Sequence, residues 1–180
     1  MKSLTLVLAS AFMLGAVFTS CNTNKDDDDK LPDAVFNAVV TGAVSQNISF
    51  TLPENVAGTE AVNGSYSGAT DMFSMLAMNL GGAWQLSLAY NSSAFQTGTY
   101  DISTNCGFTN PSLSQAGFLA TGGTITISKA DLFQGVGASL GAADDYFVDG
   151  SFTTTMASSE TPPQQIQVSG TFTGINIKAN

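Results

Sequence analysis

The chain reads as all-β: a single antiparallel β-sandwich, with a small β-barrel as the alternative architecture. Three observations predict this. Apolar residues recur at every second position over short runs, the pattern of strands with one buried face. Many of the 18 glycines fall between those runs, where turns need backbone that tolerates positive φ. Only one stretch, residues 71–80, carries a pattern that a helix could also satisfy. Short strands joined by Gly-rich turns form sandwiches or barrels, and the alternation is the same in both.

The elements follow in order. Phe36, Ala38 and Val40 alternate with Asn37, Val39 and Thr41, and Ile48, Phe50 and Leu52 with Ser49 and Thr51. Asn63-Gly64 is a candidate tight turn. In residues 71–80 (DMFSMLAMNL), Met72, Met75, Leu76 and Asn79 fit a helical face imperfectly, and Phe73, Met75 and Ala77 fit a strand equally well, so both stay open. Trp84, Leu86, Leu88 and Tyr90 alternate with Gln85, Ser87 and Ala89. Ile125 and Ile127 alternate with Thr124, Thr126 and Ser128, and residues 129–133 are read as a short helical turn after that strand. Tyr146 or Phe147 leads through a candidate turn at Asp149-Gly150 to Phe152 and Thr153, Thr154 and Thr155. Pro162-Pro163 breaks the pattern before Ile166, Val168, Phe172, Ile175 and Ile177. The Thr and Ser on the opposite phase suit a solvated sheet surface. Gly98-Thr99-Tyr100, Gly123-Thr124-Ile125, Gly150-Ser151-Phe152 and Gly170-Thr171-Phe172 share a Gly-(Thr/Ser)-apolar start, read as strands beginning after a turn and not as a true repeat.

The N-terminus has a different character. Lys2 is followed by an uncharged apolar run over residues 4–17 and by Phe18-Thr19-Ser20-Cys21. This is the order of a secretory signal: charge, short apolar run, small-residue cleavage site. The run is short of the roughly 20 residues that span a bilayer. A small residue before Cys21 at this point resembles the lipobox of bacterial lipoproteins, with Phe18 in place of the usual Leu. The resemblance implies cleavage before Cys21, a diacylglycerol on its thiol and acylation of the new amine. Two or more acyl chains make membrane attachment stable. Next come Lys25, Asp26, Asp27, Asp28 and Asp29. Adjacent carboxylates repel one another, so this segment is read as a solvated tether. A Lys followed by acidic residues just after the lipidated Cys looks like the surface-export signal of Bacteroidota lipoproteins, which implies the outer face of the outer membrane. Asp-Asp-Asp-Asp-Lys is also an enterokinase site and the tail of an epitope tag, but its position directly after the lipobox favours a native tether. The expected organisation is residues 1–20 signal peptide, 21–32 lipidated Cys and acidic tether, and 33–180 one β-rich domain.

The domain also resembles small surface lipoproteins of Bacteroidota, through Phe36-x-Ala38, Gly98-Thr99-Tyr100, the run from Gly122-Gly123 to Ser128, Val148-Asp149-Gly150-Ser151-Phe152 and Val168-Ser169-Gly170-Thr171-Phe172. These are strand and turn motifs. They imply the compartment and the all-β class and carry no catalytic residue.

Charge and missing residue types narrow the function. The formal net charge is −9, with no His. From Leu31 onward only Lys129 and Lys178 are cationic. No basic stripe exists to meet a phosphate backbone, so nucleic acid is excluded as a partner. Without His there is no Ser-His or Cys-His nucleophile pair and no imidazole metal ligand. Once Cys21 is acylated, Cys106 has no intramolecular partner and is read as a small buried residue. No phosphate loop or dinucleotide fingerprint is present, and no cofactor is expected. Carboxylate chemistry remains. A glycan hydrolase needs two carboxyl groups across a cleft, and nothing in the sequence brings two of the scattered Asp together. Asp144, Asp145 and Asp149, with Asp131, are the best acidic cluster of the domain and the one calcium candidate. Their spacing is not that of an EF-hand, and a solvated loop is the simpler reading. Trp84, Tyr90, Tyr66 and Tyr100 are the candidate ligand-binding aromatics, since exposed rings stack on sugars; for Trp84, alternation with Leu86 and Leu88 favours the core.

The functional expectation is non-enzymatic. The chain is read as an outer-membrane lipoprotein, held by lipid on Cys21 and facing the cell exterior, that acts as an accessory or binding subunit beside an outer-membrane protein partner. A surface glycan-binding module is the alternative reading, and a carboxylate-based glycan hydrolase is third.

Overall fold

The computed structural model describes residues 33–52, 60–114, 117–133 and 144–179. Cys21 and the Lys25–Asp29 segment lie outside these residues. Among the described residues 71% lie in strands and none in a helix. The strands are β1 (Ala34–Gly42), β2 (Gln46–Leu52), β3 (Glu60–Ser67), β4 (Met72–Asn79), β5 (Gln85–Asn91), β6 (Gly98–Asp101), β7 (Gly107–Thr109), β8 (Phe118–Phe133), β9 (Asp144–Ser158) and β10 (Gln165–Ala179).

Seven strands close a barrel in the order β10-β3-β4-β5-β7-β8-β9 and back to β10. The barrel, and not the sandwich, is therefore the architecture adopted. Closure depends on one parallel pairing, Ile177, Lys178 and Ala179 of β10 against Gly64, Ser65 and Tyr66 of β3. The other pairings are antiparallel. The long strands β8, β9 and β10 each serve two neighbours in succession or on both edges. Along one edge of β10, β1 occupies Ile166–Thr173 and β3 takes over at Ile177. Along one edge of β8, β7 pairs near Phe118 and β6 pairs from Thr124 to Ile127. The register breaks at Ala120/Gly122 and Ile127/Lys129 in β8, and at Phe172/Ile175 in β10. Such breaks bend a strand and increase its twist, which lets a sheet curl onto itself.

One open choice is resolved and two local expectations are corrected. Within residues 71–80, Met72–Asn79 form β4, with Phe73, Met75 and Ala77 buried on its inner face, so the strand pattern and not the helical one is adopted. Residues 129–133 continue β8 and pair with β9 from Lys129↔Asp149 to Phe133↔Asp145. Asn63-Gly64 and Asp149-Gly150 lie within β3 and β9 and are not turns. Cross-strand pairing overrides turn propensity at both sites.

Those strand glycines have a packing role. A Cβ on Gly150 would collide with the Thr126 carbonyl oxygen and the Phe172 ring, and one on Gly170 with the Asn37 carbonyl oxygen and the Phe152 ring. Gly150 pairs with Phe172 and Gly170 with Phe152, so each phenyl ring covers the glycine of the neighbouring strand. Two inward rows cross the sheet from β6 through β8, β9 and β10 to β1 and β2, each setting small residues beside large ones. One runs Tyr100, Ile125, Phe152, Gly170, Ala38, Ile48, and the other Gly98, Ile127, Gly150, Phe172, Phe36, Phe50. Of the four Gly-(Thr/Ser)-apolar segments, Gly98-Thr99-Tyr100 begins β6, while those at Gly123, Gly150 and Gly170 lie within β8, β9 and β10, where Gly150 and Gly170 make room for a neighbouring ring. Phe36 stacks on Phe50 at 5.5 Å and on Phe152 at 5.9 Å. Each fully buried ring of this kind contributes about 1.5–3 kcal/mol.

Candidate functional site

The aromatic candidates line the interior. Trp84, just before β5, and Tyr90 within it share the inner phase with Leu86 and Leu88, and all four are buried. Trp84 packs beside Phe50 at 6.0 Å. Tyr90 is sandwiched between Phe73 at 4.7 Å and Tyr100 at 4.1 Å. Tyr66 is buried and Tyr100 packs against the core. Their hydroxyls tie down the loop after β5: Tyr66 donates to the Ser92 carbonyl at 3.0 Å and Tyr100 to the Gln96 carbonyl at 2.8 Å. Between those anchors, Phe95 contacts Tyr66 at 5.5 Å, Phe73 at 5.9 Å and Tyr146 edge-on at 4.9 Å. The four rings therefore form no exposed stacking platform; they hold the wall together and pin a loop with Phe95 as its plug. The inward phase of β5 and the hydrogen bonds available to Tyr66 and Tyr100 account for this.

Tyr90 Oη is buried without a hydrogen-bond partner among the described residues. Burial, then the Tyr100 and Tyr66 phenols, push its pKa well above the ordinary phenol range. Tyr66 shifts upward too, through burial first, then the Asp71 carboxylate and Tyr100. Cys106 is fully buried; its Sγ lies 2.8 Å from the Ala89 amide nitrogen, which donates to it, and 3.3 Å from the Ala89 carbonyl oxygen. Burial raises the thiol pKa, only partly offset by backbone hydrogen bonds from Ala89 and Ser103. A neutral, enclosed thiol is a packing group and not a nucleophile.

The acidic candidates are distributed over β8 and β9. Asp149 Oδ1 accepts the Gly174 amide at 2.8 Å, and Gly174 has φ 64°. The carboxylate thus braces the β10 register break. Asp131 pairs with Lys129 at 2.7 Å on the exposed surface, and this hydrogen bond raises the Lys129 pKa. Asp144 and Asp145 are successive residues of β9, opposite Ala179 and Lys178 of β10, and not parts of a loop. Among the described residues no group of three His, Cys, Asp or Glu could hold a metal ion. Of the calcium candidates, Asp149 has a structural task for its carboxylate.

What the fold does assemble is on the outward face of the sheet, where β1 and β2 extend it beyond barrel strands β9 and β10. A groove of about 490 Å³ crosses β9, β10, β1 and β2. Its floor is the backbone of Phe152, Gly170, Ala38 and Ile48, a register row whose side chains belong to the inner phase. One wall is the outward row Ser151, Thr171, Asn37, Ser49, and the other is Thr153, Ser169, Val39, Asn47. The walls are two residues apart along each strand, roughly 7 Å. Both rows continue past the groove, one to Thr126 and Thr99, the other to Thr124 and Asp101. Every position but Val39 and Asp101 is Ser, Thr or Asn. Ser49 donates to Asn37 Oδ1 at 2.6 Å, and the Thr99 and Thr126 hydroxyls meet at 2.9 Å. Individually these residues read as an ordinary solvated strand face. The signal available in the sequence was the absence of charge at Asn37-x-Val39, Asn47-x-Ser49, Ser151-x-Thr153 and Ser169-x-Thr171. Their alignment into two walls needs the strand register.

Compared with known proteins, the chain matches no protein-family model, no curated protein and no solved structure.

Proposed function

We propose that the chain is an outer-membrane lipoprotein, anchored by lipid on Cys21 and displayed at the cell surface, whose barrel is a non-enzymatic binding subunit of an outer-membrane protein complex. Support for the anchor comes from the lipobox-like Phe18-Thr19-Ser20-Cys21 and the Lys-Asp segment behind it. The observation that carries the binding role is the uncharged groove across β9, β10, β1 and β2. It offers hydroxyl and carboxamide groups set among exposed carbon surface on paired strands.

The test is affinity purification of the lipidated protein from detergent-solubilised outer membranes, with mass spectrometry of what accompanies it. A stoichiometric membrane-protein partner supports the reading. Recovery of the protein alone at low salt and mild detergent sinks the subunit role. In parallel, Cys21→Ala should leave the chain without acyl mass and release it from the membrane fraction. Membrane retention of that variant would sink the anchor.

A further inference from the structure

We infer that the groove across β9, β10, β1 and β2 binds a segment of uncharged oligosaccharide. This deepens the reading of the barrel as a binding subunit and rests on it. The chemistry of the walls selects the ligand. Ser and Thr hydroxyls and Asn carboxamides both donate and accept hydrogen bonds, so they complement a polyol, which does the same. Neither wall carries a charge within the groove, while the chain as a whole carries −9. An anionic polymer gains no ion pair there and meets a repulsive field. A cationic partner gains more at the carboxylates elsewhere. A neutral polyol avoids both penalties.

The geometry agrees. The groove crosses four strands, a span of roughly 15 Å at strand spacing, and its volume of about 490 Å³ falls within the range of ligand sites. It is open and elongated, suited to part of a polymer and not to an enclosed small molecule. Val39, 46% exposed in the middle of one wall, supplies apolar surface for the C–H face of a sugar ring. Ser and Thr side chains are short, and Thr is stiff at χ1, so little side-chain entropy is lost on binding. The Ser49–Asn37 hydrogen bond fixes one end of a wall in advance.

The experiment is affinity electrophoresis of the full lipidated chain in detergent, through gels holding a neutral glucan, mannan or xylan, with polygalacturonate as the anionic control. Retardation by at least one neutral polymer and none by polygalacturonate is the expected result. Val39→Glu and Ser151→Glu, both at outward positions, should weaken that retardation by roughly tenfold or more, because each places a charge against the ligand without a partner. Ser151→Thr should retain it, and thermal melts of all three should match the parent. The inference is overturned if no neutral polymer retards the chain, if polygalacturonate does so equally, or if the Glu variants melt normally and bind as before. A concentration-dependent dimer lost in the Glu variants would overturn it in favour of a second copy on this face. A membrane partner that co-purifies while no glycan binds ends this inference and leaves the subunit reading standing. Glycan binding with no partner does the reverse.

Discussion

Tyr90 shows how a residue singled out for its chemistry can serve packing alone. Its ring lies between Phe73 and Tyr100, and its hydroxyl has no partner among the described residues. A buried hydroxyl without a hydrogen bond costs more than its removal. Tyr90→Phe should therefore be neutral or raise stability by up to about 1–2 kcal/mol, read from denaturant unfolding; a loss of similar size would reveal a partner for the hydroxyl. Ionisation adds a pH dependence. The folded pKa values of Tyr90, Tyr66 and the Cys106 thiol all lie above their unfolded values. For an acid raised in this way, the stabilising contribution is full below the unfolded pKa and is lost as pH rises through the folded one. Melting temperature should hold on the alkaline side of neutrality, then fall from about pH 9 for the thiol and about pH 10 for the phenols. Tyr90→Phe should flatten part of that fall. A melting temperature indifferent to pH over this range would contradict the enclosed phenols and thiol. That Trp84 and Cys106 are internal was legible from alternation and from the lack of any activating neighbour. That Tyr66 is buried and Tyr100 half-buried was not, because each hydroxyl is held by a carbonyl in the loop after β5.

At the scale of the strand, glycine and phenylalanine act as one unit. The Phe172 ring occupies the space a Cβ would need on Gly150, and Phe152 does the same over Gly170. Gly150→Ala and Gly170→Ala should each cost about 1–3 kcal/mol, since overpacking displaces a ring or a paired backbone. Gly122→Ala is the control. A Cβ there meets nothing within 4 Å, and the change should stay within about 0.5 kcal/mol. Equal effects at all three sites in chemical denaturation would show that loss of backbone freedom, and not ring packing, governs these glycines. The same cross-strand logic explains why Asn63-Gly64 and Asp149-Gly150 are not turns. Gly64 has the Ile177 side chain where its Cβ would be, and Asp149 gives its carboxylate to the Gly174 amide. Both constraints come from β10, far along the chain from β3. A local turn signal contains no information about them.

The whole molecule depends on β10. Its first half carries β1 and its second half closes the barrel on β3, while β9 lines the other edge throughout. Ending the chain after Ile175 removes the β3 ladder at Ile177, Lys178 and Ala179 together with their pairing to β9. Such a truncation should abolish cooperative melting and the near-ultraviolet circular dichroism of buried Trp84. A sharp transition with native near-ultraviolet signal would mean that the parallel pair is dispensable. Closure also sets the curvature on which the outer groove depends, so the truncated chain is expected to lose any ligand the groove holds.

By itself the sequence determined the all-β class, the phase of most strands and the burial of Trp84. Alternation is a local property, and burying one face of a strand follows from it wherever the strand is placed. The tertiary structure alone decided that Met72–Asn79 are a strand and not a helix, that the sheet closes as a barrel and not a sandwich, and that Ser, Thr and Asn from four strands line one groove. These outcomes rest on pairings between distant residues, such as β3 with β10, and on register, which aligns Ser151 with Thr171, Asn37 and Ser49. A period of two is identical in every register that keeps the same face inward, so only the packed core, with each phenyl ring seated over its glycine, selects one of them.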